Sequence, residues 1–323
     1  MKAIVCTNYG PPEVLQIQEV SKPLPGDGDV LIKIVASTVT MGDVELRSLT
    51  LPLWTRIPMR LYMGYPKPRN FIPGMELSGI VESVGKNVTS FKVGDEVFGS
   101  SGMGMGANAE YICRPATSPL ALKPSNVSFE QAATIPVGGI NALHFLRKGN
   151  CGIGQKVLVI GGGGAIGSYG VMLAKYFGAE VTAVDSTAKL EMIEKIGADH
   201  VIDYTQGAYL RKGPKYDLIF DTVYQSSYSD CIAALTDNGS YLMANTGPRR
   251  MFRTMMTSLT SRKKTIFQFA AETADNLTFL SNLIDTGKIK PWIDKTYPLE
   301  KTAEAHAYVG GGNKKGCVVI KVQ

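Results

Sequence analysis

The stretch KVLVIGGGGAIGSYGVMLAKYFGAEVTAVDS, from Lys156 to Ser186, restricts the possible folds of this chain more than any other. A β-branched run enters four consecutive glycines, a small-residue helical pattern follows, and a second apolar run ends on Asp185. Gly162, Gly164 and Gly167 form G-x-G-x-x-G, and Gly161 adds G-x-x-G-x-x-G through Gly164. In such a motif the first glycine permits the tight strand-to-helix turn, the second lets backbone approach a pyrophosphate, and the third lets helix pack on strand. The helix start, at Ala165 and Ile166, would offer free amides and a positive dipole end to phosphates. Glycine turns also arise for steric reasons alone, so context has to decide. Here a strand precedes, a helix follows, and an aspartate closes the next strand 18 residues after Gly167. That context predicts a dinucleotide site, with a flavin or adenosylmethionine site as the alternatives.

Asp185 can accept hydrogen bonds from both ribose hydroxyls, and its charge would repel a 2′-phosphate. It therefore leans toward NAD over NADP. The structural alternative is an aspartate that turns the chain and caps the next helix, a role Ser186 and Thr187 fill equally well. Lys189, close by in sequence, offers a phosphate a cation, so NADP stays open.

Around this motif the chain of 323 residues changes rhythm once. The first 125 residues read as β-rich, with KAIVC, DVLIKIVAS, LSGIVESVG and GDEVFGS broken by Pro, Gly and Asp. Between them RSLTLPLWTRIPMRLYMGYPKPRN, punctuated by proline and carrying Arg56, Arg60, Lys67 and Arg69, reads as a long functional loop. From about Ser128, helical patterns such as SFEQAATIPVGGINALHFLRKG and AKLEMIEKIG alternate with KVLVI, EVTAVD, HVIDY, YDLIFDTV, GSYLMAN and KTIFQF. Near-continuous apolar strands between helices predict an α/β fold, a doubly wound parallel sheet covered on both faces. After about Thr265 a helical piece leads to a last strand, GCVVIKV, expected to return to the first domain. The expected domains are 1–125, completed by about 266–323, and 126–265.

Composition excludes several function classes. A net charge of +6 on an ordinary soluble composition gives no nucleic-acid signature. Neither a signal-peptide core nor a run of 18 apolar residues occurs, so a cytoplasmic protein without a membrane partner is expected. Five separated cysteines with no C-x-x-C pair argue for free thiols, against a disulfide framework or a zinc knuckle. His144, His200 and His306 are scattered and read as packing or surface residues; Arg249, Arg250, Arg253, Arg262, Lys263 and Lys264 read as a solvated helix face or a subunit contact.

The order of PGMELSGIVESVGKNVTSFKVGDEVFG, GANAEYI, the glycine stretch, IGADHVIDY, YDLIFDTV and GCVVIKV resembles the medium-chain dehydrogenase/reductase superfamily over essentially the whole chain. Within it the chain is most similar to the zinc-independent quinone oxidoreductase-like branch. The resemblance implies a GroES-like catalytic domain with a Rossmann domain inserted, joined by an active-site cleft, and a homodimer acting on a small molecule. It also locates the zinc question. Where zinc members carry Cys in C-x-x-D, this chain has TMGD, with Thr40 and Asp43; where they carry Gly-His-Glu, it has Gly74, Met75 and Glu76. PVGGINALHF offers no third cysteine, and the four-cysteine structural lobe is missing. A hydroxyl and a thioether are poor substitutes for thiolate and imidazole on zinc.

Without a metal to activate an alcohol, the implied chemistry is hydride delivery from NAD(P)H to a quinone or an α,β-unsaturated carbonyl. Thr40 and Asp43 occupy the positions where relatives hold Asn and Asp near the nicotinamide. Glu45 stands where many relatives have a tyrosine, so Tyr62 and Tyr65 are the candidate proton donors. The cofactor candidates beyond the glycine loop are Asn141 on the approaching helix, Ser186 and Lys189, and Thr222, Val223, Asn245 and Thr246 after two strand ends. The competing reading is a dinucleotide-binding protein of the same fold that has lost turnover.

Overall fold

The computed structural model describes residues 1–69, 71–207, 209–210 and 213–323. The chain divides into two compact units: Met1–Val137 with Glu272–Thr286 and Pro291–Gln323, and Gly138–Ala271 with Gly287–Lys290.

The first unit opens with β1 (Lys2–Cys6) and β2 (Leu15–Glu19), an antiparallel pair. Strand β3 (Asp29–Val39) then leads through α1 (Met41–Ser48) and α2 (Leu53–Met63) to β4 (Glu76–Val84), β5 (Glu96–Ser100), β6 (Tyr111–Pro115) and β7 (Leu120–Leu122). The inward residues Val30, Ile32, Ile34, Leu77 and Val97 form its core, each worth about 1.5–3 kcal/mol of burial. Helix α2 corrects the expected long loop. Its apolar positions recur at helical spacing, and the helix continues through Pro58, the sixth of its eleven residues, which removes one backbone donor from the interior.

The run read as one helix from Ser128 splits into α3 (Phe129–Ala133) and α4 (Pro136–Lys148). Pro136 cannot donate to a preceding turn, but its fixed φ suits a first helical position. Ser128 and Gln131 close a capping box on α3, which lies against β3 and β4. The segment 126–137 therefore stays with the first unit, and the limit falls later than the change of rhythm.

In the second unit, β8 (Lys156–Ile160), α5 (Ala165–Tyr176), β9 (Glu180–Asp185), α6 (Thr187–Lys195) and β10 (His200–Asp203) alternate. They are followed by β11 (Tyr216–Asp221), α7 (Tyr228–Ala234), β12 (Leu235–Met243), α8 (Pro248–Thr260) and β13 (Lys264–Phe267). All six strands pair in parallel, in the order β10-β9-β8-β11-β12-β13. Leu158, Ile160, Val184, Ile219 and Tyr241 are buried in its core, as strands covered on both faces require. The order reverses between β8 and β11. Open α/β sheets bind ligands beyond the carboxyl ends of the strands at such a point.

The remainder, α9 (Ala274–Asp285), β14 (Ile293–Pro298), α10 (Thr302–Gly310) and β15 (Cys317–Lys321), belongs mostly to the first unit. β15 pairs antiparallel with β3, with Val318 opposite Val39, and in parallel with β14 on its other side, so the last strand lies within the first unit's sheet. The five cysteines are free thiols.

Candidate active site

At the end of β8 the chain turns through Gly161, whose φ of +83° disfavours any residue with a side chain. A Cβ there would also stand 2.5 Å from Thr222 Oγ1 and 2.7 Å from Val223 Cγ1. Thr222 fixes this wall by donating from Oγ1 to the Ile160 carbonyl at 2.9 Å, and Asn245 Nδ2 donates to the Thr222 carbonyl at 2.8 Å. Across the turn, a Cβ on Gly167 would lie 2.0 Å from the Gly161 carbonyl oxygen, so α5 touches the loop backbone directly. Gly164 is the N-cap of α5, and no side chain caps the helix. The first-turn amides at Ala165 and Ile166 and the positive dipole end thus lie behind a surface of glycine backbone. That arrangement fits a pyrophosphate. Gly162 supports the loop from beneath, donating its N–H to Val184 at 3.1 Å. Thr246 Oγ1 is buried without a hydrogen-bond partner, and Asn141 is half-buried on α4.

Asp185 departs from the simple ribose reading. It is 6% exposed, and Gly163 N–H donates to its Oδ2 at 2.9 Å while Ser186 N–H donates to its Oδ1 at 2.8 Å. Lys189 Nζ stands 3.3 Å from Oδ1. Asp185, on which the lean toward NAD rests, thus has beside it the ammonium group that keeps NADP open in the sequence. Ser186 is the N-cap of α6 but makes no side-chain cap.

Asp221 directly precedes Thr222 and Val223 at the strand end where the sequence places ligand-binding residues. It is fully buried at the end of β11, where Tyr241 OH donates to Oδ2 at 2.6 Å and Ser226 Oγ to Oδ1 at 2.8 Å. Arg250 Nη1 lies 3.4 Å away, so this arginine is an internal counter-ion and not part of a solvated face. Burial pushes the Asp221 carboxyl above the usual carboxylate range.

The first unit, taken by itself, holds two buried carboxyls. Asp43 Oδ2 accepts from Thr40 N–H at 2.8 Å and Thr40 Oγ1 at 2.6 Å, closing a capping box on α1, and Oδ1 accepts from Gly74 N–H at 2.8 Å. Glu76, 2% exposed, accepts from Thr38 Oγ1 and from Val137 N–H at 2.6 Å. Burial raises both; Glu76 is pushed up to about 7, against the hydrogen bonds from Thr38 and Val137 and the charge of Lys314. Glu76 is visible only as part of a longer motif, and Lys314 lies in none of the motifs read from the sequence. Tyr62 and Tyr65 do not meet these groups: they are 69% and 66% exposed, and Tyr65 lies under Arg60 at 4.8 Å. Tyr62 edges a cleft of about 810 Å³ whose walls include Met59, Met63, Met103, Met105 and Phe71. Polarizable, adaptable side chains of this kind suit a flat apolar guest.

The donor set does not fit zinc. Thr40 Oγ1 is committed to Asp43, Met75 offers a thioether 3.6 Å from that hydroxyl, and the described residues hold no cluster of three His, Cys, Asp or Glu.

Two family models match this chain, an alcohol dehydrogenase GroES-like domain over residues 26–125 and a zinc-binding dehydrogenase domain over 196–320. The chain is 32% identical over 335 residues to a 2-methylene-furan-3-one reductase of Solanum lycopersicum, covering 99% of this chain and 79% of that protein. It is 31% identical to a chloroplast envelope quinone oxidoreductase homolog of Arabidopsis thaliana, covering 99% and 98%. Among solved structures, the quinone oxidoreductase from Coxiella burnetii superposes with a TM-score of 0.88 at 25% identity, covering 100% and 99%. The parallel sheet with its bare glycine loop and the GroES-like sheet beside it in sequence thus have full-length counterparts, and the protein belongs to the medium-chain dehydrogenase/reductase family, in its quinone oxidoreductase-like branch.

Proposed function

We propose that the chain is a zinc-independent, NAD(P)H-dependent oxidoreductase that reduces a quinone or the double bond of an α,β-unsaturated carbonyl. The observation that carries this reading is the glycine loop, whose uncapped helix start and side-chain-free surface suit a dinucleotide pyrophosphate. Relatives named as quinone oxidoreductases and as an NADPH-dependent alkenal/one oxidoreductase support the substrate class. When bound, the nicotinamide supplies the hydride.

The chain's own groups bind and orient. Ala165 and Ile166 amides hold phosphate oxygens; Thr222, Val223, Asn245 and Thr246 line the crevice beyond the strand ends; Asn141 meets the nicotinamide ribose. Thr40 and Asp43 act as positioning residues, tying α1 to Gly74. With Tyr62 and Tyr65 exposed, solvent supplies the proton that completes the reduction. Lys189, beside Asp185, makes the adenosine end tolerant of a 2′-phosphate, so both NADH and NADPH serve.

The test follows the absorbance of NADH and of NADPH, separately, with the protein and a panel of quinones and enones. Oxidation that depends on acceptor supports the reading. Tight dinucleotide binding with no oxidation across the panel overturns it in favour of a non-catalytic binding protein.

A further inference from the structure

Helix α2 is apolar on two opposite sides. Its inner side sends Met59 and Met63 into the cleft of the first unit. On the other side Leu53, Trp54, Ile57 and Leu61 are 69%, 50%, 61% and 69% exposed. At 3.6 residues per turn these four fall within an arc of about 100°, a continuous stripe and not scattered surface residues. Arg56 and Arg60 border the stripe at helical spacing, and the exposed Lys67 and Arg69 follow the helix. From Leu49 to Met75 the chain carries four basic residues and no Asp or Glu, within a protein of net charge +6.

An apolar stripe flanked by cations, with tryptophan on the apolar side, is the pattern of a helix that lies in the interface of a lipid bilayer. We infer that α2 is a membrane-surface docking element, which seats the protein on anionic lipid with Leu53, Trp54, Ile57 and Leu61 inserted. The sequence, lacking a long apolar run, leads to an expectation of no membrane partner, and a docked α2 departs from that expectation; none of the described helices is long and apolar enough to cross. Lying on the surface needs no span. Charge complementarity selects the occupant: a second copy of the chain would bring an equally basic segment against this one. If the function proposed above holds, docking delivers lipid-dissolved quinones or enones to the cleft that α2 borders.

The test uses the full chain and sedimentation with phosphatidylcholine vesicles, with and without phosphatidylglycerol. The wild type should bind the anionic vesicles, release them at high salt, and lose affinity about tenfold or more in L53S/I57S/L61S. Independently of that variant, W292F leaves Trp54 as the sole tryptophan, and its emission should shift to the blue on anionic vesicles. Absence of vesicle binding, unchanged binding by the triple variant, or an unshifted Trp54 emission overturns the inference. So does self-association without lipid that the triple variant abolishes, because the stripe is then a contact between copies. Oxidation of NADH or NADPH by water-soluble quinone without vesicles tests the oxidoreductase reading separately, and the triple variant should retain it.

Discussion

Gly167→Ala adds one methyl group against the backbone of the glycine loop. Its Cβ would meet the Gly161 carbonyl oxygen at 2.0 Å, the Gly161 carbonyl carbon at 2.7 Å and Gly162 Cα at 2.9 Å. No rotamer relieves this, since all three neighbours are backbone. To open even the closest contact to 3.0 Å, the loop or α5 has to move by about 1 Å. Overpacking of this kind costs about 1–3 kcal/mol, and alanine returns about 1 kcal/mol over glycine inside a helix. The stability loss is therefore small, about 0–2 kcal/mol. The functional loss is larger, because a shift of about 1 Å in positioning groups is worth up to about 100-fold, and NADH affinity should fall about tenfold or more. Fluorescence titration with NADH, beside a thermal melt, separates the two effects. Gly28→Ala is the control, since Gly28 has nothing within 4 Å of an added Cβ. If Gly167→Ala binds NADH as tightly as Gly28→Ala, the loop does not hold the pyrophosphate and the cofactor reading fails.

Other outcomes follow from the same geometry. Lys189→Ala should raise KM for NADPH about tenfold while leaving NADH within about twofold, as expected when one cation is taken from a 2′-phosphate; equal effects on both would remove Lys189 from the adenosine end. Glu76 holds its proton to about pH 7 in the folded chain, against an ordinary glutamate value of 4.5, so it favours the folded state fully below about pH 4.5 and loses that contribution as pH rises toward 7. Denaturant melts of Glu76→Gln and wild type should therefore diverge by up to about 3 kcal/mol between pH 5 and 8, the variant being relatively more stable at the alkaline end; parallel curves would refute the buried, protonated carboxyl. Tyr62→Phe should keep kcat within about twofold, whereas a lost general acid would lower it about 100-fold or more. Prolonged chelation with EDTA should leave NADPH oxidation unchanged, and activity restored only by zinc would contradict the Thr40 and Met75 argument.

Much of the molecule is legible along the chain because its signals are local. All six strands of the parallel sheet, the turn at Gly161 and the helix from Ala165 follow from runs a few residues long. The long loop expected from Arg47 gives way to a helix over Leu53–Met63 for a local reason too, its prolines having outweighed an apolar spacing that forms α2; Asn70, at its end, lies outside the described residues. The zinc-ligand positions, filled by Thr40 and Met75, are likewise read directly from residue type.

What the sequence alone determined is the parallel-sheet architecture, the glycine loop at the end of β8 and the lack of zinc-type donors at Thr40 and Met75, since each depends on backbone propensity or side-chain chemistry at adjacent positions. The tertiary structure decided which charges are opposed. Asp185 takes its partners from Gly163, 22 residues earlier, and from Lys189, while Arg250 reaches Asp221 across 29 residues. It also decided that Glu76 is sealed in with its proton, that Tyr62 and Tyr65 face solvent, and that Val318 returns to pair with Val39. Burial and electrostatic pairing arise only when distant segments close around a group, and residue spacing in one chain carries no measure of that closure.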